Sequence, residues 1–359
     1  MIGPKEAWPR VAISPASLYN TFEVPVLKKI NALYKPHVFQ GAGKKNAYFE
    51  GWYYKNVNRD EDTAYAVIPA VAIAKDAGKS HSFIQFFDAR NGRSHYFRFP
   101  LDAFRAAEKE FAVSIGENYF SREKMRLDIA QDGVAIQADL AFANIVPWPV
   151  SLLSPGAMGW YAFVPGMECY HGVLSFNHAI EGHFTVNGVR KEFGGGKGYL
   201  EKDWGRSMPT SWIWMQSNHF AEPQLSLFGS IAKIPWLGKH FTGFIFGLYH
   251  KQSIHRFATY TGASLRDLAV DENHVTVTIE DSRYGLEIVG ERSPGVELVA
   301  PKLGEMTTKI NESLDAKIEV RFYRKPGREV IFAGSGRNAG LEYVGAIDEL
   351  VDGFKNRLT

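Results

Sequence analysis

The sequence of 359 residues predicts an all-β fold of two antiparallel barrels with one C-terminal helix. Three observations carry this. Aromatic residues alternate with polar ones in short runs, turn dipeptides stand between β-prone stretches, and one half of the chain echoes the other.

The aromatic content is 14%, with 25 Phe, 16 Tyr and 8 Trp, a composition that fits pleated, half-buried strands better than helices. Asn91-Gly92, Asp132-Gly133 and Asn187-Gly188 each place two residues able to take positive φ between such runs, the signature of a tight hairpin. The echo has a constant offset. Trp52 in FEGWYYKN and Trp212 in SWIWMQSN are 160 positions apart, Phe83 and Phe244 are 161 apart, and His95 and His255 are 160 apart. A repeat of this kind predicts two similar barrels, and the chain is long enough for two units of middling size. The expected division is an N-terminal segment over 1–40, a first barrel over 41–195, and a second barrel with the helix over 196–359. Its boundary lies near the glycine cluster GGGKG, Gly194 to Gly198. The helix is predicted from Ile347, Leu350, Val351, Phe354 and Leu358, which recur at helical spacing.

Composition excludes several functions. A net charge of +2 gives no basic footprint for nucleic acid. Cys169 is the only cysteine, which excludes an intrachain disulfide and a cysteine-rich zinc site and fits a reducing compartment. The opening MIGPKEAWPRVAIS has no apolar core of a secretory signal. The longest apolar runs, such as Ala64 to Ala74, fall well short of the ~20 residues that span a bilayer. A cytoplasmic protein is expected, and peripheral membrane contact is compatible with it. The sequon Asn311-Glu312-Ser313 then reads as chance. One stretch breaks the strand pattern: Asn144 to Met167 holds four prolines and three glycines in an apolar background, and reads as a long lid or binding loop.

Most catalytic motifs fail on spacing. The glycine cluster lacks the Ser or Thr after Lys197 that a phosphate cradle needs, so a bulge or hinge is expected there. His171, His178 and His183 share a segment, but no known ligand spacing is present, and no metal or other cofactor is expected. No nucleophilic serine motif occurs, and Cys169 lacks a recognisable catalytic context.

Carboxylates within aromatic runs are a different matter. Glu50 shares a strand face with Tyr48, Trp52 and Tyr54, while Glu201 and Asp203 share a parity just before Trp204. An ionised carboxylate among indoles is costly unless paired or protonated. Pairing with Lys202, Arg206 or Lys55 is the structural reading. The functional reading is a carboxylic acid kept neutral so that it can give up its proton. In SWIWMQSNHF, Trp212, Trp214, Gln216 and Asn218 lie on one face. Large aromatics could simply fill a barrel, yet two carboxamides beside them suit a wall that orients a polar head group in an apolar pocket.

The stretch GYLEKDWGRSMPTSWIWMQSNHF, Gly198 to Phe220, resembles the tocopherol cyclase family in its Glu-Lys, Trp-Gly, Pro and Trp-x-Trp-x-Gln-x-Asn series. YFEGWYYK and GWYAFVPGMECYHG resemble it too, and the likeness runs over most of the chain from about residue 40. The resemblance implies two lipocalin-like barrels, related to carotenoid hydratases and Diels-Alderase-like proteins. It also implies closure of a chromanol ring by addition of a hydroquinone oxygen across the first double bond of a prenyl tail. Asp203 departs from the family, whose plant cyclases have Asn there. Protonating a trisubstituted alkene requires a positioned acid, a dry cavity and π faces for the cation. Trp52, Trp212 and Trp214 are therefore expected at the cation, with Tyr54 and Trp204 nearby. Gln216 and Asn218 are expected at the head group, and Asp203, Glu201 or Glu50 as the acid. The expected partner is a small lipophilic substrate, a prenylated aromatic or a polyene. A lipocalin-like carrier without chemistry, or a hydratase or pericyclase on the same scaffold, are the rival readings.

Overall fold

A computed structural model describes residues 32–236 and 238–355. The reading of the N-terminus as lacking a signal lies outside the described residues. The described residues are almost wholly β, in two large antiparallel sheets. The first has twelve strands and the second ten.

Both sheets share one strand order. In the first, Arg93–Phe99, His81–Asp88, Ala64–Ile73 and Tyr48–Val57 lie side by side, and the last of these pairs with Gly196–Gly205. In the second, Ser253–Ala258, Lys239–His250, Leu225–Trp236 and Trp212–Ser217 lie likewise, and the last pairs with Glu329–Val344. Each unit thus opens with a four-strand meander and then pairs its first strand with a strand from its end. All three sequence echoes fall on corresponding strands of the two meanders.

Each sheet wraps round a core of its own, one including Trp52, Phe86 and Phe184, the other Met215, Phe246 and Ile288. A third apolar cluster, with Trp148, Phe176, Trp214 and Phe228, packs between the sheets. The change of sheet falls between Gly205 and Trp212 and not at residue 195, because Gly196–Gly205 is a central strand of the first sheet, paired on both sides.

Two of the three expected turns are tight hairpins; at the third, Asp88 pairs with Arg93 across a four-residue loop in which Gly92 (φ 60°), but not Asn91, takes the left-handed geometry. Asp132 and Gly133 (φ 53° and 77°) and Asn187 and Gly188 (φ 49° and 81°) join paired strands in two-residue loops. The glycine cluster is a packed turn entering a strand: a Cβ on Gly198 would lie 2.1 Å from the His178 ring. Ile347–Lys355 forms the predicted helix, with Leu350 and Phe354 buried in the second core; Leu358 lies outside the described residues. Among the described residues, no helix is long and apolar enough to cross a membrane.

Candidate active site

Strand alternation decides which side chains meet. On Tyr48–Val57, Trp52 and Tyr54 point into the first core, while Tyr53 points between the sheets. On Gly196–Gly205, Leu200 points into that core and Tyr199 between the sheets, so Glu201 and Asp203, at the parity of Tyr199, face the second sheet. The second sheet answers with Trp212 and Trp214 from one strand and Glu342 from its neighbour.

Two cavities of about 110 Å³ each meet at these groups. Glu201, Asp203, Met208, Trp214 and Glu342 line both. The first cavity continues between Trp212, Ile234, Phe244 and Tyr260, roofed by Met158, Tyr161 and Met167 of the long loop. The second continues past Tyr53, Phe83, Leu298 and Met306 to Glu312.

Hydrogen bonds fix the carboxyl groups. Trp214 Nε1 donates to Glu201 Oε2 at 3.0 Å, and Tyr199 Oη donates to the same oxygen at 2.5 Å. Trp212 Nε1 donates to Glu342 Oε1 at 2.6 Å, while Glu342 Oε2 is buried with no hydrogen-bond partner among the described residues. Tyr53 Oη donates to Glu312. His171, stacked on Phe228 at 4.9 Å, holds Asp203 through Nδ1 at 2.9 Å, and its Nε2 lies 3.6 Å from Glu201.

The electrostatics follow from burial. Loss of water raises the Glu201 carboxyl to about 7; the neighbouring His171 works against this rise and Asp203 with it. Burial, with the charges of Glu201 and Asp203, raises Glu342 to about 8 against the Trp212 hydrogen bond. Glu312 is pushed well above the usual carboxylate range by burial and by Glu342. Burial opposes a charge on His171, but Asp203 and Glu201 outweigh it and raise the imidazole to about 9. Lys55, buried on the same side, falls to about 7 by desolvation. Near neutral pH, Glu342 and Glu312 therefore keep their protons, while Glu201 titrates in that range beside a protonated His171.

Of the residues expected from sequence, Glu201, Asp203, Trp212 and Trp214 meet at this wall. Gln216 and Asn218 continue the Trp212–Trp214 face but lie beyond both cavities. Asn218 Nδ2 donates to Gly198 O at 2.9 Å, and neither amide atom of Gln216 has a hydrogen-bond partner among the described residues. Four expected residues lie on the other side of the first sheet. Glu50 forms a fully buried ion pair with Lys202 at 2.6 Å. Trp52 stacks on Phe111 at 5.3 Å, and Tyr54 donates to Ser121 O at 2.7 Å. Trp204 stacks on Tyr170 at 5.7 Å and lies under the Lys202 ammonium. The odd-numbered face of YFEGWYYK, bearing Tyr53 and Lys55, is the one that looks toward the site.

The sequence reading missed Glu342, Glu312, Tyr53 and Tyr199, considered Lys55 only as an ion-pair partner, and weighed His171 only as a metal ligand, which its spacing argued against. The three histidines do not converge: His178 packs on Phe142 at 4.7 Å in the first core, and burial lowers it to about 3. His171, Glu201 and Asp203 do bring ligand-type atoms within 4.8 Å of one another, a spacing a cation could use. The hydrogen bond between His171 and Asp203 accounts for the cluster without one.

Comparison with known proteins agrees with this architecture. Over 150 residues, the chain is 27% identical to a probable chloroplastic tocopherol cyclase of Oryza sativa subsp. japonica, covering 40% of this chain and 32% of that protein. It is also 27% identical over 116 residues to the chloroplastic tocopherol cyclase of Zea mays, covering 31% of this chain and 24% of that one. The matches thus span about a third or less of these relatives' length. Among solved structures, CghA with Sch210972 shares the fold, with a TM-score of 0.50 at 10% identity over 83% of this chain and 89% of that one. The family model described as tocopherol cyclase-like matches residues 136–346, more than half of the chain, which includes the wall residues Glu201, Asp203 and Glu342 and both indoles: the chain belongs to the tocopherol cyclase-like family.

Proposed function

We propose that the protein is an acid catalyst that closes a chromanol-type ring on a prenylated hydroquinone or a similar lipophilic substrate. The observation that carries this reading is the pair of buried carboxyl groups, Glu201 and Glu342, each held by an indole N–H where two apolar cavities meet. The names of the rice and maize relatives support the reaction type.

Glu342 is the proton donor in this reading. Its carboxyl stays protonated at neutral pH, and Trp212 occupies one oxygen, which leaves the other for the proton. The acid protonates the less substituted alkene carbon, and a tertiary cation forms beside the Trp212 and Trp214 rings. The hydroquinone oxygen then bonds to the cation. Its proton returns to the carboxylate, so atoms balance and the acid is regenerated. Asp203 serves as counter-ion to His171 rather than as the acid, and Glu50 is structural. The chemistry is proton transfer and C–O bond formation alone, and as proposed it draws on no redox group or metal.

A lipocalin-like carrier would suit exposed, salt-bridged carboxylates; Glu201 and Glu342 are instead only 5% and 8% exposed. Incubation with a panel of prenyl hydroquinones and polyenes, followed by mass spectrometry and NMR, tests the reading. Cyclisation leaves the mass unchanged and removes one alkene. A product heavier by one water identifies a hydratase, and no product from any substrate supports the carrier.

Two further results are expected. A prenyl hydroquinone quenches tryptophan emission saturably, and Trp214→Ala weakens binding about tenfold by removing an aromatic face. Unchanged affinity would place the ligand elsewhere. Stability should also fall toward alkaline pH. Glu201 and Glu342 hold protons in the fold that they lose near 4.5 when unfolded, so their contribution declines from about pH 4.5 and is lost as pH rises through about 7 and 8. His171, with a folded value of about 9, adds a loss from about 6.5 upward in the same direction. Lys55, lowered to about 7 in the fold from its ordinary 10.5, works the other way above pH ~7 and offsets His171, so the thermal midpoint should fall between about pH 6.5 and 8 and level off above that. A midpoint that rises over this interval contradicts the neutral-acid assignment.

A further inference from the structure

We propose that the uncharged segment 144–167 docks the protein on a lipid bilayer bearing anionic headgroups. The segment contains no Asp, Glu, Lys or Arg. It is anchored on both sides of its tip, because Trp148, Pro155 and Ala157 are buried. Between them, the pairing of Ser151 with Ser154 projects Leu152 and Leu153, which are 78% and 79% exposed. Two large apolar side chains at the tip of a secured hairpin serve no core among the described residues. Trp160 and Phe163, 44% and 42% exposed, widen the same surface.

Two neighbouring elements complete it. Tyr34 donates to Leu152 O at 2.8 Å and packs edge-on against Phe163, and exposed Lys35 follows it. On another side, Trp236 meets Trp160 edge-on at 6.4 Å, and its cross-strand partner is exposed Lys239, followed by exposed His240. Leucines at a tip, tryptophans beside them and lysines at the margin match the layering of a bilayer surface: acyl chains, then the interface, then anionic headgroups. A protein partner would have no need of that order.

The same segment supplies Met158, Tyr161 and Met167 to the first cavity, so docking would bring that cavity to the phase in which a prenylated substrate dissolves. This last step rests on the proposed function; the docking itself does not, since vesicle binding is measured without substrate.

The test is co-sedimentation of the full chain with vesicles of phosphatidylcholine alone and of phosphatidylcholine mixed with phosphatidylglycerol. Wild-type protein should bind both and favour the mixed vesicles. L152D/L153D should weaken binding to both about tenfold or more, because two buried leucines are lost from the contact. K35E/K239E should remove only the preference for phosphatidylglycerol. Thermal midpoints of both variants should match wild type, because none of the four side chains is buried. Wild-type protein that stays in the supernatant with both vesicles overturns the proposal, as does L152D/L153D that sediments like wild type. A dimer that L152D/L153D converts to monomer, without vesicle binding, assigns the surface to a second copy and also overturns it.

Discussion

Glu342→Gln should lower turnover of a prenyl hydroquinone by about a hundredfold or more, the scale of a lost general acid, while its binding changes by less than about threefold. The amide keeps an oxygen to accept the Trp212 N–H and keeps the side-chain volume, so the wall should remain folded. It lacks only the transferable proton. A proton given to the alkene acts in the transition state and adds little to ground-state binding, which is why kcat and Kd should separate.

The companion variants divide donor from neighbour. The charges of Glu201 and Asp203 help hold Glu342 protonated. Glu201→Gln should therefore move the alkaline limb of the pH–rate profile to lower pH, with turnover retained below it. Asp203→Asn removes the partner of the His171 imidazolium, so the imidazole should titrate lower than about 9. Full activity in Glu342→Gln, with activity abolished at every pH in Glu201→Gln, would transfer the donor role to Glu201.

Much of the architecture was legible because its signals are local. The Asp132-Gly133 and Asn187-Gly188 turns announce themselves by residue type. Lys251 and Gln252 adopt the same left-handed geometry, φ 47° and 63°, with neither Gly nor Asn, so no local rule identifies them. The echo located corresponding strands but not their faces: Trp52 fills the first core, whereas Trp212 looks between the sheets. For the same reason, the sequence reading chose the even face of YFEGWYYK, where the aromatics are larger, although the odd face bears Tyr53 and Lys55. Alternation assigns residues to one of two faces; which face meets the site depends on the second sheet. Glu342 and Glu312 show the same limit. They lie 141 and 111 positions from Glu201, in strands whose local sequence is unremarked, and Glu312 entered only as the middle of a sequon. Desolvation by distant strands gives them their chemistry, and no short motif encodes it.

Lys202→Met should destabilise the protein by ~3–5 kcal/mol, the scale for leaving one member of a buried ion pair unmatched. Lys202 and Glu50 are both fully buried, and their 2.6 Å contact lies on the core side of the strand that carries Glu201 and Asp203. The ammonium also donates to Pro36 O and Val38 O, and lies over the Trp52 and Trp204 rings. Glu50 accepts from Gln40 N and Tyr48 Oη. Methionine fills much of the volume but neutralises none of the carboxylate, so the cost is mainly that of a buried unpaired charge. Replacing both residues, Glu50→Leu with Lys202→Met, should recover only part of the loss. The pair's charges vanish together, yet the Gln40 amide, the Tyr48 hydroxyl and two carbonyls then lack partners. Urea unfolding of the single and double variants measures both quantities. The same experiment bears on function: Glu50→Gln should lower stability while leaving turnover per folded molecule near wild type, as befits a group that supports the strand from behind. A Glu50→Gln protein that folds with wild-type stability and fails to turn over would instead make Glu50 the acid, and the ion pair its means of delivery.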